Sequence, residues 1–232
     1  MKVRIKFAKY GTMKFIGHLD MMRFFQKAVR RAEIDVKYSE GFSPHQIMSF
    51  AAPLGVGIES RGEYLDLEVL SMSSEADMKD ALNRVMVNGV EVLSVSVLPD
   101  QAKNAMASVA AASYRLQMKE GDFPIDGLAE KLQQFYAQEH IPCIKETKKS
   151  VIELDLKQGI YEIGAENGNA IHMLVNASSS GNIKPTVVFE KFCAFAGCEV
   201  PASAIQVTRL ETYRDLAGEA AEHRFVPLGE TG

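Results

Sequence analysis

Apolar and polar residues alternate with period two in several separated segments of this 232-residue chain, and amphipathic helical stretches fall between them in the order β-α-β-β-α-β. The second half runs through a similar order, β-α-β-β-β-α-β, with one strand or a long hairpin added. Together these observations predict an α+β protein of two tandem ferredoxin-like (βαββαβ-type) domains with antiparallel sheets. The expected boundaries are a domain over 1–99, a linker over 100–112, a second domain over 113–214 and a tail over 215–232 whose weak periodicity predicts partial order at best.

In the first half, Lys2, Arg4 and Lys6 alternate with Val3, Ile5 and Phe7, which predicts a strand over 2–9 with one buried and one basic face. Leu19, Met22, Phe25, Val29 and Ala32 recur at helical spacing and predict a helix over 18–33. An irregular Gly, Ser and Pro loop follows over 38–45, then a strand over 47–52, a break at Pro53-Leu54-Gly55-Val56-Gly57 and an alternating strand over 63–69. Ser73 or Ser74 caps a helix carrying Met78, Leu82, Val85 and Met86 that stops at Gly89, and Val90 to Leu98 is the fourth strand. In the second half, strands are expected at 113–119, 151–156, 161–163, 170–175 and 205–210. Helices are expected at 125–139 and from Pro185 to about 196, where Pro suits the first turn and Gly197 the stop.

Apolar residues at 47% and charged residues at 24% are those of a globular protein with a real core, which excludes intrinsic disorder. No apolar run approaches the ~18–20 residues of a membrane span, and the first six residues read as a strand rather than a signal peptide, so no membrane association and a cytoplasmic location are expected. Cys143, Cys193 and Cys198 are too few for a disulfide framework and lack a second Cys/His pair at ligand spacing, so buried or idle thiols and no metal are expected.

The formal net charge of -4 is unevenly divided. Residues 1–50 hold ten Lys or Arg against four Asp or Glu, a net of +6, which leaves -10 for the remainder. A basic lobe on an acidic protein suits an anionic partner, while mutual neutralisation of the two lobes is the competing reading. Arg23, Lys27, Arg30 and Arg31 stand at i, i+4, i+7 and i+8, one helical face away from the apolar stripe. Four cations on a rod suit successive phosphates, and a solvated amphipathic face is the plainer alternative. Next to them, Tyr38, Ser39, Gly41, Phe42, Ser43 and His45 offer backbone amides, hydroxyls, an imidazole and aromatic faces for stacking. Gly55 and Gly57 form a second Gly-rich turn without the third glycine of a dinucleotide site. His18 and His45 are the candidate general bases, although His18 and Asp20 at i and i+2 point to different sides of a helix. P-loop, HExxH, GxSxG and CxxxCxxC motifs are absent, so no cofactor is expected.

The blocks Phe15-Ile16-Gly17-His18-Leu19-Asp20, Ala28-Val29-Arg30-Arg31-Ala32, Tyr38 to Pro44, Ser49-Phe50-Ala51, Pro53 to Gly57 and Glu63-Tyr64-Leu65-Asp66 resemble those of the radical-SAM-associated domain of unknown function. In that family the domain occurs alone or fused behind a radical-SAM protein. Lys184-Pro185 and Arg209 resemble it more loosely, and Gly17 departs from an expected Ser. The resemblance implies a partner relation to radical-SAM chemistry on tRNA or rRNA and supplies no known activity. With the charge pattern it favours an RNA-binding or substrate-presenting accessory protein. The alternatives are a metal-independent RNA-processing endoribonuclease using His18 or His45, and a protein adaptor that binds no nucleic acid.

Overall fold

The computed structural model describes residues 1–146, 151–166, 169–217 and 222–230, with mixed α+β structure and mostly antiparallel sheet. The chain divides into two compact units, residues 1–110 with 209–232, and residues 111–208.

The first unit runs β1 (Lys2–Lys9), α1 (His18–Arg31), β2 (Met48–Phe50), β3 (Glu59–Glu68), α2 (Glu75–Asn83) and β4 (Val90–Val97), then the single turn α3 (Ala105–Ser108). β1 pairs antiparallel with β3 on one side and with β4 on the other, and β2 pairs antiparallel with Leu65 to Leu67 of β3, so the order is β4-β1-β3-β2. Val3, Ile5 and Phe7 alternate onto the face that also carries Leu65 and Leu67. Met21, Phe25 and Val29 of α1 and Met78 and Leu82 of α2 cover that face, and all of these side chains are buried. Phe7, Phe25 and Phe50 form an aromatic cluster with centroids 4.7–6.0 Å apart, and each fully buried ring stabilises the fold by roughly 1.5–3 kcal/mol.

Ser74 is the cap of α2, its side chain accepting from Asp77 N at 3.0 Å, whereas α1 starts at Gly17 without a side-chain cap. α1 ends two residues before the expected 33 because Glu33 adopts a φ of 55°. Ile34 N then reaches back to Val29 O at 3.2 Å, the closing bond of a left-handed helix stop that usually uses glycine.

The opposite face of β1 differs most from the sequence expectation. Arg4 is not a surface cation: it lies directly across from Asp66, and the two are 5% and 4% exposed. Arg4 Nε donates to Asp66 Oδ1 at 2.7 Å and Nη2 to Oδ2 at 3.0 Å, while Nη1 donates to Leu228 O. Lys6 pairs with Glu211 at 2.5 Å, and Glu211 also accepts from Tyr64 OH at 2.7 Å. Burial and the Glu211 carboxylate together hold the Tyr64 hydroxyl well above its usual range. The chain end supplies this cover: residues 209–215 of β10 (Ile205–Asp215) and all of β11 (Phe225–Pro227) belong to the first unit, and Leu228 is fully buried. Sequence periodicity placed residues up to 214 with the second half and a weakly ordered tail beyond them.

Gly62 of β3 lies against β10. A Cβ there would stand 2.5 Å from Glu211 Cα, and Thr212 Oγ1 donates to Gly62 O at 2.7 Å. Gly62→Ala is therefore expected to cost about 1–3 kcal/mol, read as a lowered urea midpoint, because backbone rather than a flexible side chain must yield. An unchanged midpoint would show that the strands are free to part.

The second unit contains β5 (Ala111–Met118), α4 (Leu128–Tyr136), β6 (Pro142–Glu146), β7 (Val151–Asp155), β8 (Ile160–Glu166), β9 (Ala170–Asn176), α5 (Pro185–Ala196) and the first residues of β10. β9 pairs antiparallel with β5 and β8, the start of β10 lies beside β5, and β6 and β7 form a separate hairpin. Of that hairpin, β7 falls on the strand expected at 151–156, whereas no strand was expected at β6. Phe135, Phe189 and Phe192 are buried in the core of this unit, with Phe135 and Phe192 5.6 Å apart. All three cysteines are free; burial pushes the Cys193 thiol up to about 12, which leaves it inert. Within the basic run Lys145-Glu146-Thr147-Lys148-Lys149, residues 147–149 lie outside the described residues.

Candidate nucleic-acid interface

The +6 segment resolves into two groups of cations. Arg4, Lys6, Lys14 and Lys37 pair with Asp66, Glu211, Glu59 and Glu68, acids that all come from beyond residue 50. This much of the basic lobe is neutralised by the acidic body. Arg23 of α1 pairs with Asp20 one turn earlier at 3.0 Å on an open surface, where such a pair is worth less than about 1 kcal/mol. Lys27, Arg30 and Arg31 are exposed and have no acidic partner among the described residues. The last two also sit in the final turn of α1, where they complement its dipole.

The segment after α1 is a short hairpin rather than an irregular loop. Tyr38 and Gln46 form an antiparallel bridge, Ser39 N donates to His45 O at 2.8 Å, and Ile47 N donates to Lys37 O at 3.0 Å. Gly41, with a φ of 107°, turns the chain at the tip beside Phe42, whose ring is wholly exposed, and Ser43 is exposed as well. Tyr38 is also exposed. Buried Gln46 ties the hairpin to the middle of α1 by donating to Gln26 O at 3.2 Å. Ser39 Oγ lies 2.9 Å from His45 Nδ1 and accepts from His45 N, so these two side chains brace the hairpin. His45 has no carboxylate partner among the described residues.

Gly55 and Gly57 lie apart from the hairpin, at the other end of β2. Gly57 N donates to Lys14 O at 2.9 Å, which docks this turn on the 3-10 segment Gly11–Phe15 that precedes α1. His18 stands edge-on to Phe50 at 5.3 Å, and Asp20 turns away to Arg23. The cations of α1 and the hairpin thus share the middle and C-terminal part of the helix, while His18 and the glycines share its start.

Periodicity missed a buried polar cluster beneath that start. Glu63 Oε1 accepts from Arg209 Nη1 at 2.8 Å and from Ser60 Oγ at 2.9 Å, and Arg209 also donates to Ala52 O. Lys9 Nζ donates to Ile16 O at 2.7 Å. All four side chains are buried, and Lys9 and Glu63 line a small pit together with His18 and Pro53. The charged partner of Glu63 is Arg209, 146 residues on. Cross-strand spacing on β3 could have flagged Glu63, which continues the row of Leu65 and Leu67, but nothing local announces Arg209.

Burial holds the Lys9 ammonium below its usual 10.5, with Glu63 pulling partly the other way. Between that lowered value and 10.5 the unfolded chain carries more protons, so this residue adds stability as pH rises through that window. The urea midpoint of the wild type, measured against Lys9→Met, is expected to gain from about pH 8 to about pH 10. A constant difference would mean the amine is not desolvated.

Among the described residues no three His, Cys, Asp or Glu side chains come together as a metal-binding group, and no helix is long and apolar enough to cross a membrane. The geometry defines an α+β protein with a cationic helix face flanked by an aromatic-tipped hairpin. The chain belongs to the family described as "Uncharacterized protein conserved in bacteria (DUF2344)", whose model matches residues 2–185. No curated protein sequence matches it. Among solved structures, "Crystal Structure of a Cbf5-Nop10-Gar1 Complex" is similar at 11% identity with a TM-score of 0.44, over 90% of this chain and 48% of that one. "X-ray crystal structure of a heavy metal efflux pump, crystal form II" is similar at 10% identity with a TM-score of 0.23, over 94% of this chain and 28% of that one. The chain thus spans about half the length of the first and about a quarter of the second.

Proposed function

We propose that the chain is an RNA-binding accessory protein that holds single-stranded or loop regions of tRNA or rRNA on its first unit and presents them to a radical-SAM modifying enzyme in the cytoplasm. The observation that carries this reading is the coincidence of Lys27, Arg30 and Arg31 on α1, exposed and without an acidic partner among the described residues, with the exposed Phe42 and Tyr38 rings of the adjoining hairpin. Cations along a rigid element suit phosphates, and exposed rings suit unstacked bases. The link to radical-SAM chemistry rests on the sequence blocks between Phe15 and Asp66. The strand orders β4-β1-β3-β2 and β10-β5-β9-β8, with α1 and α2 in the first unit besides the single turn α3 and with α4 and α5 in the second, support reading both units as ferredoxin-like.

Fluorescence anisotropy with a labelled single-stranded RNA and its duplex form tests the proposal. The wild type is expected to prefer the single strand, and Phe42→Ala to lose about 1–3 kcal/mol on it while leaving duplex binding unchanged. Equal affinity of wild type and Phe42→Ala for the single strand would remove the stacking role.

A further inference from the structure

Away from α1, the first unit contains an open cleft of about 510 Å³, within the ~300–1,000 Å³ range of small-molecule sites. Its walls come from residues 98–110 and from residues 214–216 and 230, and Arg4 of β1 is part of its lining. These walls are tied down from within. Arg4 bonds Asp66, Lys103 O and Leu228 O, and Asp66 also accepts from Ala105 N at 2.7 Å, so one buried ion pair fixes both the 103–105 segment and the chain end.

Donors remain unspent around the cleft. A guanidinium has five N–H groups, and the bonds of Arg4 to Asp66, Lys103 O and Leu228 O use four of them. Arg214 donates through Nη2 to Glu230 O at 2.6 Å, a single bond that, with the buried Nε set aside, leaves other N–H groups of its guanidinium for the cleft it lines. Lys103 is exposed on the rim without an acidic partner among the described residues. The acids are less available: both oxygens of Asp215 are taken by His223 and by the Ala217 and Arg224 amides, which leaves the Glu230 carboxylate as the acid without a partner among the described lining residues. Leu98, Pro99 and Val109 give the cleft an apolar wall.

We infer that this cleft binds a small phosphate-bearing ligand of nucleotide size, its anionic group on Arg214 and Lys103 and its apolar ring against Leu98, Pro99 and Val109. The site is independent of the α1 face and does not rest on the RNA reading.

Isothermal titration of the full chain with adenosine 5′-monophosphate, adenosine and inorganic phosphate tests it. Saturable binding of the monophosphate is expected, at least ~10-fold tighter than either adenosine or phosphate alone, since a charged hydrogen bond and the apolar wall both contribute. Lys103→Ala and Arg214→Gln should each weaken it several-fold, and Glu230→Gln should tighten it. Lys103 and Glu230 are exposed, so those two variants keep the test valid if Arg214→Gln impairs folding. Absence of saturable binding, equal binding of adenosine, or equal binding of phosphate alone overturns the proposal. So does binding that Lys103→Ala leaves intact but Arg30→Ala/Arg31→Ala abolishes, which would assign the anion to α1.

Discussion

Replacing Arg209 by Met is expected to destabilise the first unit by about 3–5 kcal/mol, because it leaves Glu63 as an unpaired buried charge. Glu63 and Arg209 side chains are each 7% exposed and 2.8 Å apart, and Arg209 also donates to Ala52 O. Removing both charges should cost much less: Arg209→Met/Glu63→Gln is expected to recover most of the loss, since the price of the single change is the stranded carboxylate rather than the lost attraction. Urea denaturation followed by far-ultraviolet circular dichroism reads both. A loss below about 1 kcal/mol for the single variant would show that water reaches the pair. The same pair also fixes the entry to the Pro53–Gly57 turn, so its loss should loosen the start of α1 before it affects the hairpin at 38–46.

The second large effect is on binding. Lys27→Ala/Arg30→Ala/Arg31→Ala is expected to weaken single-stranded RNA about 100-fold at ~0.1 M salt, because each phosphate contact on a single strand releases ~0.7 counterion. The three side chains are exposed and make no ion pair among the described residues, so the variant should lose no more stability than the ~0.3–1 kcal/mol that each of Arg30 and Arg31 contributes at the end of α1. Loss of affinity in a variant that stays fully folded separates a binding face from a structural one. Unchanged affinity would leave α1 with the role of a solvated surface.

Local patterns carried much of the fold. The alternation of β1, the helical spacing of Phe25 and Val29, the cap at Ser74 and the Pro185 and Gly197 limits of α5 all depend on neighbours within one or two turns, and these are the features the sequence exposes, although Met21 rather than the expected Leu19 is the buried residue at the start of α1. What escaped it is long-range. Arg4, Lys6 and Glu63 look like surface charges in the sequence because their partners lie between 62 and 224 residues away, and only the return of the chain end covers them. The strand β3 begins four residues before the alternation suggests, since Glu59 to Gly62 are shaped by approach to β10 rather than by a buried apolar row. In the candidate site, the helical face of Lys27, Arg30 and Arg31 was legible from spacing alone. That Gly41, Phe42 and Ser43 cap a bridged hairpin was not, because Gly, Ser and Pro content signals a turn without giving its pairing.

The salt dependence of RNA affinity addresses the central claim most directly. A plot of log affinity against log salt is expected to be linear for the wild type, with a slope steeper by about 2 than that of Lys27→Ala/Arg30→Ala/Arg31→Ala, the share of three phosphate contacts. Parallel lines for the two proteins, or a wild-type affinity that does not respond to salt, would contradict an RNA interface on α1.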